Sequence, residues 1–189
     1  MKNIFLIISL AFTQLLTAQL RLPSFISDNM VLQQKKVNRI WGWSKPQQLI
    51  SVDFNDKKYP AYANNKGEWE VFLEPANAGN AGALIVSADT EHIVVKNILV
   101  GELWVCSGQS NMEWTMGMSP VTYKDELKTA SNDNIRFVVI NDTYANTPQQ
   151  DVSLEKTWSQ VSPSTIANCS AVAYWYAKKL YQNLQFPSD

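Results

Sequence analysis

Histidine is almost missing from this sequence: the 189 residues hold one, His92. Cysteine is nearly as scarce, with only Cys106 and Cys169. No CxxC pair or Cys/His cluster exists, so a zinc site is not expected. Two cysteines do not make a disulfide framework, and two small buried thiols are the expected use, with their pairing left open. Neither sign of charge dominates. Sixteen Lys and Arg stand against 17 Asp and Glu, for a net charge of −1. No basic field is present to attract nucleic acid. GxxxxGK[ST] and GxGxxG are both absent, which argues against nucleotide binding. Charged residues make up 17% and apolar residues 46% of the chain, a globular composition.

Long hydrophobic runs are also lacking. The longest begins at Ile4 and fades at Leu16, with Lys2 the only charge before Arg21. It is shorter than the roughly 20 apolar residues that cross a bilayer. A positive start, a short apolar stretch and a small residue at its end read as a secretory signal. Residues 1–18 are the expected signal, with Ala18 the last residue removed. The product is then expected to be secreted or periplasmic, without membrane attachment after removal.

What is abundant is short β-rich segments. Arg39–Trp43, Leu49–Phe54, Trp69–Leu73, Ala83–Ala88 and His92–Val95 are separated by turn signals such as Asn55-Asp56, Asn64–Gly67 and Asp89-Thr90. In Leu49–Phe54, apolar side chains two apart would share one face. This spacing predicts an all-β sandwich over 19–97. Its Trp residues are expected in the packing rather than as sugar platforms. From 98 onward the pattern changes. Ile98–Val100 and Leu103–Cys106 are apolar without alternation, as in a strand buried on both faces of a parallel sheet. Residues 120–130 read as helix, Ile135–Ile140 as strand and 141–165 as loop. Ser170–Leu184 reads as a helix with a core stripe of Val172, Tyr176, Leu180 and Leu184, flanked by Ala173, Ala177 and Tyr181. Strand, helix, strand, helix opens an α/β layered domain over 98–189. Only about two of its usual four or five strands can be counted, so it reads as incomplete.

The chemistry concentrates at Gly108-Gln109-Ser110-Asn111-Met112, directly after the apolar run. A serine at such a turn sits where α/β proteins bind ligands, and a following helix would aim amides at a developing oxyanion. Gly-x-Ser alone is weak, since Ser107 or Ser110 could cap the next helix. Met112 also replaces the second glycine of a nucleophile elbow.

The wider run Val100–Trp114, containing Val105-Cys106-Ser107-Gly108-Gln109-Ser110-Asn111-Met112-Glu113, closely resembles the nucleophile block of the sialate O-acetylesterases, which are SGNH/GDSL-like hydrolases. Leu22-Pro23, Ser27–Gln34, Trp41-Gly42-Trp43 and Ser170–Tyr174 are similar to other parts of the same family. The resemblance implies an α/β/α, flavodoxin-like second domain and hydrolysis of O-acetyl esters, typically on sialic acids, without metal or organic cofactor. It implies Ser110 as nucleophile, with its backbone amide as an oxyanion donor, and places Gln109 and Asn111 as flanking pocket candidates. Other acetylated glycans, xylan among them, are alternative substrates.

The family's later blocks, which supply further oxyanion donors and the Asp/His pair, find no match in these residues. His92 precedes the nucleophile in a strand-like run and reads as a surface or edge histidine. General base and acid partner are therefore expected to be absent and the 189 residues to have little activity alone, whether as a fragment or frameshifted copy of a longer enzyme, the favoured reading, or as a short product in its own right. A different class remains open: an exported carbohydrate-binding or interaction module without catalysis.

Overall fold

A computed structural model of the chain describes residues 19–184. The expected signal, 1–18, lies outside the described residues. Nine strands are described: β1 (Val31–Gln33), β2 (Asn38–Trp43), β3 (Leu49–Phe54), β4 (Lys57–Tyr62), β5 (Glu68–Leu73), β6 (Gly79–Ala88), β7 (Glu91–Gly101), β8 (Asn132–Ile140) and β9 (Leu154–Val161). They are joined by three helices, α1 (Ser110–Glu113), α2 (Lys124–Thr129) and α3 (Ala171–Leu184). The result is a mixed, sheet-rich fold with few helices.

Alternation drives the first part. Ile50, Val52 and Phe54 of β3 point inward, as do Trp69, Val71 and Leu73 of β5 and Leu84, Val86 and Ala88 of β6. The strands form a five-stranded sheet, β1-β7-β6-β3-β4, and a two-stranded sheet, β2-β5, which share one apolar core. Turn chemistry sets the register. Asn55 and Asp56 both have positive φ, 50° and 59°, so a two-residue turn closes the β3–β4 hairpin. Pro60 interrupts no ladder because β4 is an edge strand. Trp69 is buried in the core, while Arg39 and Arg21 lie over the rings of Trp41 and Trp43. Gly42 between them is needed for space: a Cβ there would come within 2.3 Å of the Arg21 carbonyl oxygen.

The second part departs from the sequence expectations in five places. Ile98–Val100 does not open a second, parallel sheet: it ends β7, paired antiparallel with β6 and parallel with β1, and Ile98 and Val100 lie in the first core. Leu103–Cys106 is not a buried strand. Among the described residues no strand pairs with it, and Val105 is 92% exposed. Its apolar character is that of a buried strand, but a strand forms only where a neighbour takes its backbone hydrogen bonds. Residues 141–165 are not all loop, because they contain β9. This strand pairs antiparallel with β8, from Asn132 opposite Val161 to Ile140 opposite Leu154. Glu155, Lys156 and Thr157 make β9 look polar because that stretch is exposed, whereas Trp158 and Val161 are buried.

The core face of α3 is rotated from the predicted stripe. Ala171 and Tyr174 are buried, and Ala177 and Tyr181 pack beside them, whereas Val172, Tyr176 and Leu184 are exposed. With Ala at two inward positions, α3 can lie close to its neighbours. The aromatic Tyr174 then supplies the bulk that the longer apolar stripe was expected to supply. Finally, the two thiols are not both buried. Cys169 is buried, but Cys106 is exposed because it stands in the unpaired segment.

The β8–β9 hairpin ties the two parts together. Trp158 joins the first core and donates its Nε1 hydrogen to the Phe25 carbonyl at 2.7 Å. Arg136 Nη1 donates to the Asn29 and Asn97 carbonyls, the former at 3.0 Å.

Candidate functional site

Ser110 begins α1, a single turn held by the Met112 and Glu113 amides, which donate to the Gln109 carbonyl at 2.7 and 3.2 Å. The residue capping this turn is Gln109, and no side chain makes a capping bond. The Ser110 hydroxyl is therefore not spent on a cap. It is exposed and makes no hydrogen bond among the described residues. The amides of Ser110 and Asn111 likewise donate to no backbone carbonyl, since the first amides of a helix have no acceptor within it. A hydroxyl beside two unengaged amides is an arrangement suited to an acyl group and its oxyanion. Gly108 lets the turn close tightly: a Cβ there would lie 3.2 Å from Met112 Cβ.

The turn faces a cleft of about 490 Å³. Gly108–Ser110 and Glu113 line one side, and Asp142–Tyr144 the other. Gln109 thus lines the cleft directly. Asn111 is exposed beside it but does not line it. Sequence reasoning missed Glu113, Asp142 and Tyr144. Glu113 was legible only by proximity. The other two reach the site because Asn141, at the base of their loop, is pinned to Ser153 through both its backbone amide and its side chain.

The segment that carries Ser110 is held at both ends. At its start, Glu102 accepts hydrogen bonds from Gln33 Nε2 at 3.2 Å and Gln34 Nε2 at 2.6 Å, and the Leu103 amide donates to Gln33 Oε1. The Gln33-Gln34 pair therefore anchors the run that leads to Ser110. At its end, the segment is clipped to the start of α3. The Ala171 amide donates to the Trp114 carbonyl at 2.8 Å, the Met116 amide to the Cys169 carbonyl at 2.9 Å, and Ser170 Oγ contacts Met112 Sδ at 3.4 Å. Trp104 also meets Tyr176 edge to face, with centroids 5.2 Å apart.

Away from the cleft, Tyr174 and Lys178 of α3 both donate to Glu126 Oε1 of α2, Lys178 at 2.5 Å. Burial pushes the Glu126 carboxyl up, but the two hydrogen bonds and the Lys178 charge outweigh it and hold it below the usual carboxylate range. Burial, reinforced by the nearness of Cys106, pushes the Cys169 thiol up to about 12.

His92 is exposed and sits opposite Ser87, at the hairpin end of β7. Ser110 lies beyond the other end of that strand, so His92 is not in the cleft. No group of three or more His, Cys, Asp or Glu among the described residues could hold a metal ion. No helix among them is long and apolar enough to cross a membrane.

A serine opening a short turn on an open cleft, with unengaged amides beside it, is a site of the kind that ester hydrolases use. Comparison with known proteins points the same way. No family profile matches the chain. Over 88% of its length, however, it is 27% identical to the sialate O-acetylesterases of Pongo abelii and Homo sapiens. A solved carbohydrate acetylesterase from Xanthomonas citri superposes with a TM-score of 0.84 at 29% identity, covering 89% of this chain and 38% of that one. The resemblance to the sialate O-acetylesterases thus extends over most of the chain. The chain itself spans about a third of the length of the curated relatives it matches.

Proposed function

We propose that this chain carries the nucleophile portion of an exported carbohydrate acetylesterase, with Ser110 as nucleophile. An apolar-cored β-sandwich, expected over 19–97 and with its last strand β7 running on to Gly101, would support the opening of an α/β/α domain in the residues that follow. In the reaction, Ser110 Oγ attacks the acetyl carbonyl, and the Ser110 backbone amide is one donor to the oxyanion. The sugar hydroxyl leaves with a proton, and water then releases acetate from the acetyl-serine. The observation that carries this reading is the free, exposed Ser110 hydroxyl, beside its own unengaged amide, on the cleft. Its likeness to sialate and carbohydrate acetylesterases names the ester class. Sialic acid is the substrate named by the curated relatives, while the solved neighbour is named only for carbohydrates.

The base is the missing part. The sole histidine, His92, is remote, so Ser110 has no imidazole to take its proton, and removing a triad member leaves only residual catalysis. The 189 residues alone are expected to turn over a chromogenic acetyl ester very slowly or not at all. A fluorophosphonate probe at high concentration should still modify Ser110, traceable by peptide mass. Rapid turnover that disappears in Ser110→Ala would overturn the inactivity of this chain alone. An adduct forming elsewhere and never on Ser110 would overturn the site.

A further inference from the structure

Among the described residues, the cleft beside Ser110 is lined by two acids and by no base. Glu113 and Asp142 line it from opposite sides, and no Lys or Arg is among its lining residues. Hydrogen bonds hold the backbone at Glu113 and at the residue before Asp142. The Glu113 amide is bound to the Gln109 carbonyl, and Asp142 follows the doubly pinned Asn141. A fully exposed aromatic ring, Tyr144, completes that wall. A sialic acid brings a carboxylate of its own, whereas an acetylated neutral sugar does not. An anion entering this cleft meets two like charges and no counter-charge, and loses its hydration for no ion pair.

We propose that Glu113 and Asp142 set the specificity of this site, selecting acetylated neutral sugars over O-acetylated sialic acids. The proposal rests on the acetylesterase reading and names its substrate class. Tyr144 is the surface on which the uncharged ring stacks. Two unit charges some 6–8 Å apart in a water-exposed cleft repel enough to weaken binding about threefold, so both acids together disfavour the anion by roughly tenfold. The penalty shrinks in salt, because the screening length at about 0.1 M is only about 10 Å.

The test is binding to the full chain carrying Ser110→Ala, which keeps the esters intact. Amide NMR titrations compare a methyl O-acetyl-xyloside with 9-O-acetylated sialic acid. The expected result is that both shift the Gln109–Glu113 amides, with the xyloside binding about tenfold tighter at low salt. Glu113→Gln with Asp142→Asn should erase the gap by improving sialic acid binding, and added salt should narrow it. Equal or tighter binding of the sialic acid, or a gap unmoved by the double variant, overturns the specificity assignment while leaving the acetyl-sugar site intact. Failure of both sugars to perturb those amides instead removes the site reading, and this proposal falls with it.

Discussion

Replacing Gly42 by Ala should be among the most damaging single-methyl changes in this protein. The added Cβ would lie 2.3 Å from the Arg21 carbonyl oxygen and 2.7 Å from Trp69 Cζ2. One neighbour is backbone and the other a buried indole, so neither yields cheaply. Overpacking of this kind costs about 1–3 kcal/mol. Moving Arg21 away also loosens the bridge in which Arg21 and Trp43 exchange two backbone hydrogen bonds, each 2.9 Å long. Each bond contributes about 0.5–1.5 kcal/mol. The lower chain entropy of Ala returns about 0.4–1 kcal/mol. The net loss is about 2–5 kcal/mol, against a total stability of about 5–15 kcal/mol. Urea unfolding followed by tryptophan fluorescence measures it. With a slope of about 2 kcal/mol/M, the midpoint should fall by about 1–2.5 M at unchanged slope. Gly82→Ala is the control: its φ is +73°, but nothing lies within 4 Å of the added carbon. It should cost only the backbone term, about 1–2 kcal/mol. A Gly42→Ala midpoint within about 0.3 M of the parent would refute the steric argument.

Two further predictions concern titratable groups. Glu126 titrates below the usual carboxylate range in the folded protein, so its contribution is complete above that range and is lost as pH falls through its folded value. Unfolding midpoints should therefore decline between about pH 5 and pH 3 more steeply in the parent than in Glu126→Gln; parallel curves would show that the carboxylate does not hold α2 to α3. The two thiols should differ sharply in reactivity. Near pH 8 a thiol reagent should modify exposed Cys106 in the native protein, and Cys169, pushed up to about 12, only in denaturant. Rapid native modification of both would contradict the burial of Cys169.

Much of the first sheet is legible in the sequence. Alternation in Leu49–Phe54 and Trp69–Leu73, and the turn pairs Asn55-Asp56 and Asp89-Thr90, are local signals, and local signals fix strand faces and hairpin registers. Although the strand expected to lead into it does not form, the Ser110 turn is legible as a turn, because Gly108 and Ser110 are near neighbours. The helix over 170–184 is legible for the same reason. Its buried face is not, since Tyr174 rather than Val172 faces inward only because α2 and the β8–β9 hairpin lie on that side. Leu103–Cys106 is the least legible segment. Composition marks it as able to be a strand, but a partner's amides and carbonyls are needed to make it one.

By itself, then, the sequence determined where hydrophobic period changes, where the chain turns, and which serine stands at a turn built for exposure. Tertiary structure alone decided that Asp142 and Tyr144, more than 30 residues from Ser110, share its cleft. The physical reason is range. Period and turn propensity act between neighbours along the chain, whereas the walls of a cleft are set by distant hydrogen bonds, such as those from Asn141 to Ser153 and from Gln33 and Gln34 to Glu102.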